Sequence, residues 1–175
     1  MKRFMKVVVK EHNEKWQQMF NEESQRIKDI FGDECKAIHH IGITSVSGLK
    51  AKPIIDMMPV VKQIEKIDSF NEQMNGIGYE SLGEFGIKGR RYFRKGGDNR
   101  THQVHVFQVD NNEDINRHLA VKDYLLTHAE EAKLYGDLKE TLANQFPRDI
   151  VSYMNGKDRF VKELERKALL WYKGL

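Results

Sequence analysis

The chain carries a single cysteine, Cys35, among 175 residues. One thiol can form neither an intramolecular disulfide nor a thiolate-rich zinc site. It reads better as a small, partly buried residue at a strand edge than as a nucleophile. Long apolar runs are missing too, and none reaches the length of a bilayer span. The amino-terminal MKRFMKVVVK has only VVV as its apolar centre, too short for a secretory signal. These absences exclude a disulfide-stapled class and a membrane partner, and make the cytoplasm the expected location. A strong charge of either sign is also missing: 29 Lys+Arg stand against 26 Asp+Glu, a net +3. That balance does not call for nucleic acid, although cations can still cluster locally. Internal repeats, low-complexity segments and clear linkers are absent. The length suits one domain, residues 1–175, able to bury its own core.

What is present alternates strand and helix. Phe4–Val9 is rich in β-branched residues and predicts a strand. Trp16, Met19, Phe20, Ile27, Ile30 and Phe31 recur at helical spacing and predict a helix over His12–Phe31, with Asn13 as N-cap and Gly32 as C-cap. Strands are expected at Cys35–Ile41, at the apolar run Ile54–Val61 and at Tyr79–Phe85, with a loop over 42–53 and a helix over Ile64–Asn75. Arg90–Lys95 and Thr101–Val109 flank Gly96, Gly97, Asp98 and Asn99, a hairpin signal. Residues 114–128, 130–146 and 149–172 read as helices, with breaks near His128 and at Pro147. The expected class is α+β: a mixed or antiparallel sheet with helices, and a helical carboxy-terminal third.

Three constellations could carry chemistry. In the first, Gly42 lets backbone approach a ligand, Thr44, Ser45 and Ser47 add hydroxyls, and Lys52 offers a point charge to a phosphate. Asp56 follows on an apolar strand and is placed to hold Mg2+ together with substrate phosphates. A structural role, with Asp56 paired to Lys52, is the competing reading. In the second, alternation puts Arg90, Tyr92 and Arg94 on one hairpin face, suited to a phosphate or carboxylate, with Arg100 beside them. Gln103, His105 and Phe107 share a face, and His102 points the other way, which argues against a His102–His105 zinc site. The third is helical: Arg117, His118, Lys122, Asp123, Tyr124, Lys139 and Lys157, where His118 and Lys122 lie one turn apart. Met57, Met58 and Met74 read as core filler.

HIG…GLKAKPIID at 40–56, GRRYFRK at 89–95, RTHQVHVF at 100–107, RHLAVKDYL at 117–125, YGDLKETLA at 135–143 and YMNGK at 153–157 occur in that order. In this the chain resembles the GrpB-like family, bacterial proteins of the nucleotidyltransferase superfamily, over roughly residues 6–170. The resemblance implies a nucleotidyltransferase-like core. Enzymes of that superfamily have a glycine–serine pair, a spacer, and two carboxylates flanking one residue. Gly42 and Asp56 match the glycine and the first carboxylate, whereas Ile43 replaces the serine and Met58 the second carboxylate. The family commonly reads EHIGSTAVPGL, where this chain has His39 for the glutamate and Ser47 for the proline; its HxH pair becomes Gln103 and His105.

The resemblance therefore implies ligand contacts at Gly42, Thr44, Lys52, Arg90, Arg100, Lys122, Lys139 and Lys157. It implies Asp56 as metal and catalytic residue with His105 as acid/base, Mg2+ as cofactor, and an anionic small molecule or nucleotide as partner. Nucleotidyl or phosphoryl transfer is the implied chemistry. The alternative is a non-catalytic binding module, or a folding helper for a protein partner such as dephospho-coenzyme A kinase, to which some relatives are fused.

Overall fold

The structure is a computed structural model and describes residues 9–49 and 51–174. The strand expected at Phe4–Val9 lies outside the described residues except for Val9. Next to it, Lys10 exchanges backbone hydrogen bonds with Ala51 at 2.8 and 2.9 Å.

Helix α1 (Lys15–Phe31) buries Trp16, Phe20, Ile27 and Phe31, the stripe that the sequence spacing draws. It starts later than expected because Asn13 turns its side chain onto the Lys15 N–H at 2.9 Å. It ends at Gly32, whose φ of +55° releases the chain from the helix. Strands β1 (Cys35–Ile41) and β2 (Ile55–Val61) then pair antiparallel. The helix expected at Ile64–Asn75 divides into a 3-10 stretch, Ile64–Phe70, and a short α2, Asn71–Gly76. Ile64, Ile67 and Phe70 recur every third residue, the period that a three-residue turn stacks on one side. Strand β3 (Tyr79–Ser81) stops short of Phe85 because Gly83, Phe85 and Gly86 all have left-handed φ, which no strand accommodates. Strands β4 (Arg91–Lys95) and β5 (His102–Gln108) form the expected hairpin. Helices α3 (Asn112–Thr127), α4 (Ala129–Gln145) and α5 (Ile150–Lys173) close the chain.

The five strands lie in the order β1-β2-β5-β4-β3. Only β2 and β5 run parallel; every other neighbour is antiparallel, so the sheet is mixed. Alternation along β2 sorts the two layers. Ile55, Met57 and Val61 face α1 and the 3-10 stretch, where they meet Phe93, Val104 and Val106 in one buried cluster. Met58 and Val60 face the carboxy-terminal helices and pack with Ile41, Phe107 and Ile115. Each such side chain, taken from water, contributes about 1.5–3 kcal/mol. Further clusters join α3, α4 and α5 to one another and to the loop after β1, through Val46, Leu49, Tyr124, Tyr135 and Leu164. Asp56 is the second residue of this apolar strand, on the face turned toward α4 and α5.

Candidate functional site

Asp56 is held from two sides. Gly42 has a φ of +67°, and a Cβ added to it would lie 2.9 Å from Asp56 Oδ2, so the turn after β1 leaves room for the carboxylate only as glycine. On the other side His105 Nε2 lies 3.1 Å from Asp56 Oδ1. The Arg90 guanidinium reaches His105 Nδ1 at 3.3 Å. Arginine can only donate, so Nδ1 accepts, and the imidazole proton stays on Nε2, aimed at Asp56. The register brings these groups together: Asp56 lies beside Gln103 across the parallel pair, and His105 lies opposite Tyr92 across the hairpin.

A cleft of about 400 Å3 opens beside Asp56. Its walls include Lys52 from the loop before β2, Arg100 from the hairpin turn, Lys139 from α4 and Lys157 from α5. Gly42, Thr44 and Gln103 complete the floor near the carboxylate. Three lysines and an arginine therefore share one hollow with one carboxylate. Aromatic rings carry the lysines: Lys52 and Lys157 lie 5.0 and 5.3 Å from the centre of the Tyr153 ring, and Lys139 lies 4.7 Å from that of Tyr135. Lys139 is only 2% exposed. Burial, then the nearby Lys157 and Lys52, pull its ammonium down to about 6. Lys157 falls to about 8 through burial and Lys52, with Asp56 opposing. Burial also lowers Lys52; Asp56 opposes the shift and Arg100 reinforces it. The cleft thus concentrates positive charge that it solvates poorly.

The expected site residues do not all converge. Lys52, Arg100, Lys139, Lys157, Gly42, Thr44 and Asp56 meet at the cleft, and His105 stands behind Asp56. Arg90 is placed away from the cleft wall, buried under its own loop. It donates from Nη2 to the Phe85 carbonyl at 2.8 Å and from Nε to that of Glu84 at 3.2 Å, so its guanidinium is engaged by its own loop and by His105. Lys122 is also elsewhere, donating to the His40 carbonyl at 2.8 Å and tying α3 to β1. The Thr44 hydroxyl donates to the Ile54 carbonyl at 3.2 Å and lies 3.0 Å from His40 Nε2, which leaves it engaged on both sides. Lys52, the partner that the competing structural reading gave Asp56, lies over Tyr153. His102 is buried beside Tyr79 on the far face of the sheet from His105.

The residues that sequence reasoning passed over are Tyr135 and Tyr153. Their signal was present: each precedes its lysine by four positions, one helical turn, as Tyr135–Lys139 and Tyr153–Lys157. His118 packs 5.7 Å from His105 and 5.9 Å from Phe107, ring centre to ring centre. Burial, then His105 and Arg117, pull it down to about 4, which keeps it neutral behind the site.

Whether Mg2+ suits these residues depends on the donors. Met58 is fully buried at the position where a second carboxylate would stand, and no group of three His, Cys, Asp or Glu side chains among the described residues could hold an ion. A pair of protein-held ions needs more carboxylate than this. A single ion borne by a ligand's phosphates needs only the one oxygen that Asp56 can give.

Comparison with known proteins places this arrangement among relatives. The family model described as "GrpB protein" matches residues 6–167. The UPF0157 protein YqkA of Bacillus subtilis is 50% identical over 169 residues, covering 97% of this chain and 49% of YqkA, so the chain spans about half the length of that relative. The glutamate-rich protein GrpB of Alkalihalophilus pseudofirmus is 34% identical over 163 residues, covering 90% of this chain and 93% of that protein. The crystal structure of conserved protein GrpB from Enterococcus faecalis superposes with a TM-score of 0.92 at 47% identity, over 94% of this chain and 99% of that one. At the level of fold alone, a structure of Cid1, whose title names RNA terminal uridylyl transferase activity, gives a TM-score of 0.53 at 16% identity over 78% of this chain and 43% of that one. No helix among the described residues is long and apolar enough to cross a membrane.

Proposed function

This chain belongs to the GrpB family, and we propose that its cleft binds a small molecule through that molecule's phosphate groups. The observation that carries this reading is the convergence of Lys52, Arg100, Lys139 and Lys157 on one hollow beside Asp56. Packed together and withdrawn from water, Lys52 and Lys157 hold their charge at a cost that a bound polyanion offsets. Arg100 supports the same reading, because its Nε is buried without an acceptor among the described residues. Lys52 and Lys157, both held on the Tyr153 ring, give point charges for phosphate oxygens, and the Arg100 guanidinium adds a bidentate fork.

Asp56 has a distinct part. A carboxylate facing phosphates repels them unless a cation lies between. Asp56 is therefore the group that takes Mg2+ carried in on a nucleoside triphosphate, and bound Mg2+ would supply that shared charge. His105, with its proton on Nε2 and Arg90 behind it, holds Oδ1, while Oδ2 lies on the Gly42 side. One carboxylate does not support a two-ion transfer mechanism. The reading is thus of binding, with nucleotidyl transfer as the second possibility that the fold keeps open.

Calorimetric titration with inorganic triphosphate and with ATP, each with and without Mg2+, tests the proposal. The expected result is saturable binding that weakens about tenfold or more in Lys52→Ala and in Arg100→Ala, the scale of one charge-assisted contact. Asp56→Asn should abolish the Mg2+ dependence and leave the Mg2+-free binding in place. Heats no larger than those from an equal ionic strength of sodium chloride would overturn the reading.

A further inference from the structure

Resting on the reading of the cleft as a phosphate site, we propose that Phe85 is the stacking platform for a flat heteroaromatic ring on the same ligand. That makes the ligand a nucleoside phosphate and not a plain phosphate ester.

Phe85 is a large aromatic residue left 55% exposed. Its φ is +46°, the only left-handed φ of a non-glycine among the described residues. For a bulky side chain that conformation costs energy and persists only where the surroundings impose it. Here they do. Arg90 clasps the Phe85 and Glu84 carbonyls, and the Glu84 carboxylate accepts from the Gly89 N–H at 2.6 Å, closing the loop around the guanidinium. The result is a phenyl ring laid parallel on Tyr92, with centres 5.1 Å apart and planes 11° from each other. The Arg94 guanidinium stands 5.9 Å from the Phe85 ring centre. An exposed ring held flat by strained backbone buries little apolar area of its own, so packing alone does not account for it. An aromatic face with a guanidinium alongside is a surface on which a base stacks.

The platform is in the right place for the cleft. Tyr92, beneath Phe85, lies opposite His105 in the hairpin, and His105 holds Asp56. From β2 to β4 is two strand spacings, about 10 Å, and His105 lies two residues along β5 from the partner of Asp56, a span suited to a sugar carrying a triphosphate. The guanidinium that shapes the Phe85 loop is the one that reaches His105 Nδ1. Arg90 therefore links the ring platform to the carboxylate through a continuous set of hydrogen bonds.

The test measures the ratio of two affinities in one protein: Kd for inorganic triphosphate over Kd for ATP. In the native chain the ratio should be about ten, the scale of one base–aromatic stack. In Phe85→Ala it should fall to near one, and in Phe85→Tyr it should return, which separates lost stacking from a disturbed loop. A ratio near one in the native protein, or a ratio that Phe85→Ala does not move, overturns the platform and leaves the phosphate site standing. Failure of both compounds to bind overturns the platform and the phosphate site together.

Discussion

Gly42 shows how one missing side chain can set a site. Two demands coincide there: a φ of +67° and a carboxylate oxygen 2.9 Å from where Cβ would be. Gly42→Ala should therefore destabilise the fold by roughly 1–3 kcal/mol, from left-handed strain plus displacement of Asp56. Urea unfolding measures the loss. Because the displaced group is Asp56, the Mg2+-dependent part of triphosphate binding should go with it. Gly48→Ala is the matched control, since Gly48 has a comparable φ of +79° but open space around its Cβ position. The control carries the strain without the clash, so an equal effect on Mg2+ dependence in both variants would show that Gly42 has no special tie to Asp56.

At the scale of elements, α4 and α5 deliver Lys139 and Lys157, and Gly156 sets how closely they approach. A Cβ at Gly156 would lie 2.5 Å from Leu142 Cδ2 and 3.2 Å from its Cδ1. Leu142 is itself buried against Tyr153, so it has little room to yield. Gly156→Val should cost roughly 1–3 kcal/mol by overpacking, against the general gain of replacing a helical glycine. It should also weaken phosphate binding by parting the lysines; a thermal melt and a titration of the same sample check both. The elements themselves were largely legible beforehand. Cys35–Ile41 is a strand from end to end, with the bounds that the sequence suggested. The carboxy-terminal helices are as expected because their breaks fall at His128 and near Pro147. Asp56 stood out as a candidate because it is the one acid in an apolar strand, and alternation on the hairpin gave the face of His105, which lies against it. The position of Arg90 was not. Its burial depends on carbonyls of a glycine-rich loop bending back over it, and no side-chain pattern encodes where carbonyls point. Nor did the sequence show that Lys122 bridges α3 to β1, because on a helical wheel it looks like any cation facing a cleft.

For the molecule as a whole, the cleft makes stability depend on pH, in a direction that follows from the burial of Lys139. An unfolded lysine titrates near 10.5, whereas the folded Lys139 does so at about 6. Between those values the unfolded chain binds more protons than the folded one, so stability rises with pH across the window. Lys157, drawn down to about 8, adds the same sign over its own narrower range. The melting temperature of the ligand-free protein should therefore climb from pH 6.5 to pH 9, in the range where surface carboxylates no longer titrate. Lys139→Met removes the largest of these contributions and keeps the side chain's length. The variant should melt higher than the native protein at pH 7 and show a flatter slope, the two converging at alkaline pH. A bound polyanion acts in the opposite way, because it favours the charged ammonium. Binding near pH 7.5 should then take up protons, which calorimetry in buffers of different ionisation enthalpy detects directly. Parallel slopes in the native protein and Lys139→Met would mean that Lys139 binds protons alike in the folded and unfolded chains, and would overturn this account of the pH dependence.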